Sequence, residues 1–161
     1  MASSTAAPTT AGRVTGTYLT FQVGQEEYGI EILKVREIIG MLPITPVPGS
    51  PPEMIGVINL RGKVIPVISI RTRFGMAPVE AHPHNVIIVV ENARGEIGLA
   101  VDRVAEVARF TEAETEAPPA YGLAIDTTCV AAIGKSQGRI RILLDIARVL
   151  GDTSASLSAT A

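Results

Sequence analysis

The chain has 161 residues, of which 47% are apolar and 19% charged, so it is long enough for one domain, or two very small lobes, with a sizeable core. Aromatics make up 4% and tryptophan is absent, which leaves Val, Ile, Leu and Ala to build that core and favours β-structure. The formal net charge of −2 points neither to nucleic acid nor to an anionic membrane, and a single cysteine, Cys129, excludes an intrachain disulfide.

Met1–Thr17 is composed largely of Ala, Ser, Thr, Gly and Pro and lacks an apolar run, so it reads as a disordered tail rather than a signal peptide. Order is expected from Tyr18. In Tyr18–Val23, Leu19, Phe21 and Val23 alternate with Thr20 and Gln22, the pattern of a half-buried strand. A turn at Gly24–Glu27 leads to a second strand at Tyr28–Ile30. Ile32–Val35 has the spacing of one helical turn, and Arg36–Ile39 reads as extended. Five prolines between Pro43 and Pro52 forbid helix and central strand, so this segment is expected as a stiff outer loop. Glu53–Ile55 is expected as a short helical turn.

Val57–Leu60 and Val64–Ile68 flank Arg61-Gly62-Lys63, the signature of a β-hairpin whose tip carries two cations. Ile70–Phe74 reads as a helical turn closed by Gly75. Met76–His84 is a linker. The longest apolar run, Val86–Val90, is far too short to span a bilayer and reads as a buried strand. Ile97–Val101 and Val104–Val107 continue as strands, and Thr111–Tyr121 as a loop. Thr128–Ile133 and Ile140–Ile146 form a second hairpin around Lys135–Arg139, followed by a terminal helical turn at about 145–150 and a second tail at 151–161. Without a signal or a membrane span, a soluble cytoplasmic protein is expected.

The chain repeats itself. Gly62–Gly75 (GKVIPVISIRTRFG) and Gly138–Gly151 (GRIRILLDIARVLG) have equal length, and each opens on glycine and a cation and closes on an apolar residue and glycine. Gly29–Ile38 (GIEILKVREI) and Gly98–Val107 (GLAVDRVAEV) match in the same way and in the same order. Two similar lobes are therefore expected, at about 18–75 and 85–146, each a short sheet that curls into a small barrel and so removes its edges.

Little in the sequence points to chemistry. Cys129 sits in an apolar strand and reads as core. His82 and His84 flank Pro83 without the further ligands that a metal needs, and no phosphate-binding glycine loop occurs. An enzyme or ligand-binding barrel would place a polar, pKa-perturbed cluster between the lobes, and a purely structural oligomerising module would need none.

With Glu26–Ile38, Ile44–Ile68, Ile97–Val107 and Gly138–Leu150 in hand, the chain resembles CheW-type chemotaxis coupling proteins; the run NLRGKVIPVI behind IGVI, with YGIEILKVREI upstream, carries the resemblance. It implies a mainly β fold of two five-stranded, SH3-like barrels with short helices. It implies a non-enzymatic, cofactor-free adaptor between the cytoplasmic tip of methyl-accepting chemoreceptors and the histidine kinase CheA, whose regulatory domain has the same fold and alternates with the adaptor in rings beneath receptor arrays. Receptor contact then falls on Val35, Glu37, Gly56, Asn59, Arg61 and Gly62, in an apolar groove between the lobes where Gly56 allows close approach. Val35 by itself reads as core more readily than as interface, and Arg61 as a solvated cation. Kinase contact is expected on apolar patches at the barrel ends, with Val104, Val107, Tyr121 and Leu123 as candidates. Ser69 departs from the family's Asp or Asn before the short helix, and loss of a helix cap is expected there.

Overall fold

The structure is a computed structural model that describes residues 15–150 apart from 78, 80, 81, 93, 94 and 119–126. Eleven strands dominate it: β1 (Gly16–Val23), β2 (Glu26–Glu31), β3 (Val35–Gly40), β4 (Met54–Leu60), β5 (Lys63–Ser69), β6 (Val86–Asn92), β7 (Gly95–Val101), β8 (Arg103–Phe110), β9 (Thr115–Glu116), β10 (Val130–Ser136) and β11 (Arg139–Leu144). The Val- and Ile-rich composition thus yields a mainly β fold. Helices are short: α1 (Ile70–Arg73) and a last helix at 146–150.

Strand order is β8-β1-β2-β11-β10-β9 in one sheet and β3-β6-β7-β5-β4 in the other. Apart from the two-residue β9, the two sheets have one topology. β6 takes the place of β1, β7 of β2, β3 of β8, and the β4–β5 hairpin that of β10–β11. The parallel step is shared as well: β11 pairs with β2 through Leu143 and Gly29, and β5 with β7 through Val67 and Gly98. The sequence repeat is therefore a structural repeat. It does not divide the chain at the linker, however. The first two strands of each half pair with the later strands of the other half, so neither 18–75 nor 85–146 forms a sheet by itself. The crossings are short: a 3₁₀ turn, Ile32–Lys34, carries the chain from β2 to β3, and Asp102 alone separates β7 from β8. Neither crossing makes a hairpin turn: β2 does not pair with β3, nor β7 with β8, and at each point the chain passes to the other sheet.

Burial follows from this exchange. A large cluster lies between the sheets and draws on both, from Leu19, Phe21 and Tyr28 on one side to Ile88, Val90 and Leu99 on the other. The five-stranded sheet encloses a second cluster of Ile58, Ile65, Val67, Ile87 and Val89. The six-stranded sheet encloses a smaller third one of Tyr18, Phe110, Ala132 and Leu143. The unbroken apolar run of β6 is explained at once: Ile87 and Val89 face the second cluster while Ile88 and Val90 face the first.

Several local expectations change. β1 begins at Gly16, which pairs with Phe110. Glu53–Ile55 is no helical turn, because Met54 and Ile55 already belong to β4. The proline segment is anchored to that strand: Thr45 and Val57 exchange two backbone hydrogen bonds of 2.9 Å. Within Thr111–Tyr121, a capped 3₁₀ turn at Glu112–Glu114 precedes β9. Ser69 does cap α1, for its hydroxyl accepts a hydrogen bond from the Thr72 amide. The C-terminal end of α1 is closed by the Gly75 amide donating to Thr72 and the Met76 amide to Arg71.

Candidate functional site

The two hairpin tips are built alike. Leu60 pairs with Lys63 and Ser136 with Arg139, which leaves two-residue loops. Arg61 and Gly62 have φ of 54° and 85°, Gln137 and Gly138 φ of 55° and 75°. Positive φ at both positions is the type I′ turn, whose twist matches that of the strands. Asn59 braces the first tip, where its Oδ1 accepts a hydrogen bond from the Gly62 amide at 2.9 Å. Arg61, with 68% of its side chain exposed, is therefore held at the corner of the five-stranded sheet by a rigid turn.

From there Arg61 donates to the Glu37 carboxylate on β3. The register of β3 shifts between Val35 and Glu37. A second set of charges continues the arrangement: Glu96 on β7 accepts from Lys63 at 3.0 Å and from Arg36 at 3.2 Å, and Arg36 also reaches Glu91 at 3.6 Å. Hydrogen bonding by Lys63, then by Arg36, holds the Glu96 carboxyl below the usual range for glutamate. Such a group stays ionised near neutral pH and serves ion pairing rather than proton transfer. Arg36, Glu37, Arg61, Lys63 and Glu96, with Leu60 and Ile65, line an open depression of about 340 Å³.

The six residues expected to meet a receptor thus have different places. Glu37 and Arg61 are joined directly. Asn59 and Gly62 shape the turn that presents Arg61. Val35 is half-buried against the large core cluster and closes the 3₁₀ turn by donating its amide to Ile32, as its reading as a core residue requires. Gly56 is buried, and the close approach it permits is internal: a Cβ there would overlap the Thr45 carbonyl and lie 2.7 Å from Ile44 Cγ2. The expected apolar groove between the lobes is replaced, around Glu37 and Arg61, by a charged depression drawn from one sheet. Of the kinase candidates, Val107 is 57% exposed on the outermost strand β8, while Val104 packs partly against the core. Tyr121 and Leu123 lie outside the described residues.

Comparison with known proteins settles the family. The family model described as the CheW-like domain matches residues 17–154. The chain belongs to the CheW-like family. Among its relatives, the chemotaxis protein CheW of Klebsiella aerogenes is 34% identical over 148 residues, covering 91% of this chain and 89% of that protein. CheW of Bacillus subtilis is 35% identical over 142 residues, with 88% and 90% covered. The crystal structure of the scaffolding protein TtCheW from Thermoanaerobacter tengcongensis superposes with a TM-score of 0.75 at 36% identity, covering 82% of this chain and 90% of that one. A CheW-like domain is a scaffolding module, and the chain is not an enzyme.

The sequence reading missed the charged partners Glu96, Glu27 and Arg141. Glu27 and Glu96 were within reach, since they precede Gly29 and Gly98 by the same interval in the repeat. Arg141 interrupts the apolar run of β11, and a charge that a strand buries needs a partner. Its side chain is 2% exposed and reaches Glu106 at 2.5 Å and Glu27 at 3.2 Å. The histidine pair stacks at 4.8 Å, and among the described residues no group of three or more His, Cys, Asp or Glu is placed to hold a metal. No helix among the described residues is long and apolar enough to cross a membrane.

Proposed function

We propose that this CheW-like chain is a chemotaxis adaptor that couples the cytoplasmic tip of methyl-accepting chemoreceptors to the histidine kinase CheA and transmits receptor state by protein–protein contact. The observation that carries the receptor side is the Glu37–Arg61 pair on the rim of the five-stranded sheet. Both groups are accessible, and an exposed pair of this kind contributes only ~0–1 kcal/mol. It therefore opens at little cost and offers a partner one acid and one planar five-donor cation, suited to carboxylates and to free carbonyls. The rigid type I′ turn lowers the ordering cost that such a contact otherwise carries.

The kinase side falls on apolar surface that the fold leaves uncovered. Val107 on β8 and Ile140 on β11 are more than half exposed in the six-stranded sheet, and their repeat counterparts Ile38 and Val64 are exposed in the other. A member of a ring needs two such faces, and a regulatory domain of the same fold presents complementary ends. Recruitment to receptor arrays follows from these contacts.

The test is Arg61→Glu, which sets two acids against each other at the rim. Circular dichroism is expected to be unchanged, while binding to a receptor cytoplasmic fragment falls at least tenfold and receptor-dependent kinase stimulation falls with it. Unchanged coupling by a folded variant would remove the tip from the receptor contact.

A further inference from the structure

The repeat gives every residue of the Glu37–Arg61 depression a counterpart in the other sheet. Glu106 stands for Glu37, Glu27 for Glu96 and Arg139 for Lys63. The ion pairs confirm the correspondence: Arg139 to Glu27 at 2.6 Å repeats Lys63 to Glu96 at 3.0 Å. A protein with two equivalent depressions would offer a receptor two sites. Four of these positions change in type, Ala105 for Arg36 and Ser136 for Leu60 among them, and the two that bear on the acid at the rim are at the tip and on the floor. Gln137 replaces Arg61 at the tip, with the same backbone conformation and no charge. Arg141 replaces Ile65, which is buried and apolar.

Arg141 changes what Glu106 can do. Its guanidinium is buried, lies 5.8 Å from the Phe110 ring centroid, and binds both Glu106 and Glu27. Arg139 adds a contact of 3.6 Å to Glu106. Drawing Glu106 away would leave a buried cation short of a counter-charge, which is costly where breaking an exposed pair is not. Glu37, by contrast, has the exposed Arg61 as its one ion-pair partner among the described residues.

We propose that Arg141 is a specificity-determining residue that closes the repeat copy of the receptor site, so that a chain of twofold design engages one receptor tip and keeps its six-stranded sheet for other contacts. This rests on the receptor reading given above. A single receptor site per chain gives the adaptor a direction, which its repeat alone would not.

The experiment is a calorimetric titration of the full-length protein with the receptor cytoplasmic fragment used for Arg61→Glu. Wild type is expected to bind one fragment per chain. Gln137→Arg with Arg141→Ile gives the second depression the tip cation and the apolar floor of the first, with Ala105 and Ser136 left in place, and is expected to bind two. The same pair placed in the Arg61→Glu background is expected to regain one site. Gln137→Arg with Arg141→Met keeps a longer apolar stem and serves if the isoleucine variant does not fold. A folded variant that still binds one fragment, or none in the Arg61→Glu background, overturns the inference while leaving the receptor reading standing. Loss of the fold in both variants overturns it too, since Arg141 would then be needed simply to hold the sheet. Absence of binding by wild type removes the receptor reading, and the inference with it.

Discussion

Glu37 and Arg61 lie far apart in sequence and touch only because β3 and the β4–β5 turn border the same end of one sheet. Their residue types were legible beforehand, through the resemblance; their pairing was not, since periodicity carries no information about which strand ends meet. Gly56 shows the converse. It lies in a motif that points to partner contact, yet its lack of a side chain serves the passing backbone of Thr45. Its φ of 149° adds a conformation that L-residues rarely adopt. Gly56→Ala is therefore expected to destabilise the protein by roughly 2–4 kcal/mol, the sum of backbone strain and overpacking. Urea unfolding would read this as a lower midpoint with the slope retained, and a loss of receptor binding without loss of stability would show that the glycine faces the partner after all.

At the scale of elements, strands and hairpins were the most readable features, because alternation and β-branching act locally. Glu53–Ile55 was misread for the same reason: the pairing of Met54 with Ile68 across β4 and β5 outweighs a short stretch with no strong preference. Ser69 keeps its cap because a hydroxyl accepts from the Thr72 amide as a carboxylate would. The second hairpin tip holds a correctable flaw. Gln137 has φ of 55°, a region costly for most L-residues and tolerated by Asn. Gln137→Asn is expected to stabilise the fold by about 0.5–1 kcal/mol, read as a higher urea midpoint. The same change at Arg61 would gain similar stability and lose the cation at the rim.

For the whole molecule, the exchange of strands between halves is the property with most consequence. Each sheet needs both halves, and the large cluster between them draws on both. Fragments 15–75 and 85–150 are expected to lack stable β-structure when separate and to gain it when mixed in equal amounts, as followed by far-ultraviolet circular dichroism. A separately folded first fragment would contradict the exchange. Burial also sets the alkaline limit. It pushes the Tyr18 and Tyr28 hydroxyls from 10.0 to about 12, with nearby carboxylates adding to the shift. A folded pKa above the unfolded one means that this stabilisation is fully present below about pH 10 and is lost as pH rises through about 12. Thermal midpoints should fall across that interval, and Tyr28→Phe should flatten its share of the fall.

Composition, alternation and the repeat determined, with no structure in hand, that the chain is a β protein of two similar halves, each with a hairpin, because each of these signals is local or is a comparison of the chain with itself. Only the tertiary structure decided which strands meet. The short crossings at Ile32–Lys34 and Asp102 send each half into the other's sheet, and that routing brings Arg61 to Glu37 and seals Arg141 against Glu106 and Glu27. Side chains so distant along the chain are joined by topology alone, and burial then makes one pair easy to open and the other hard.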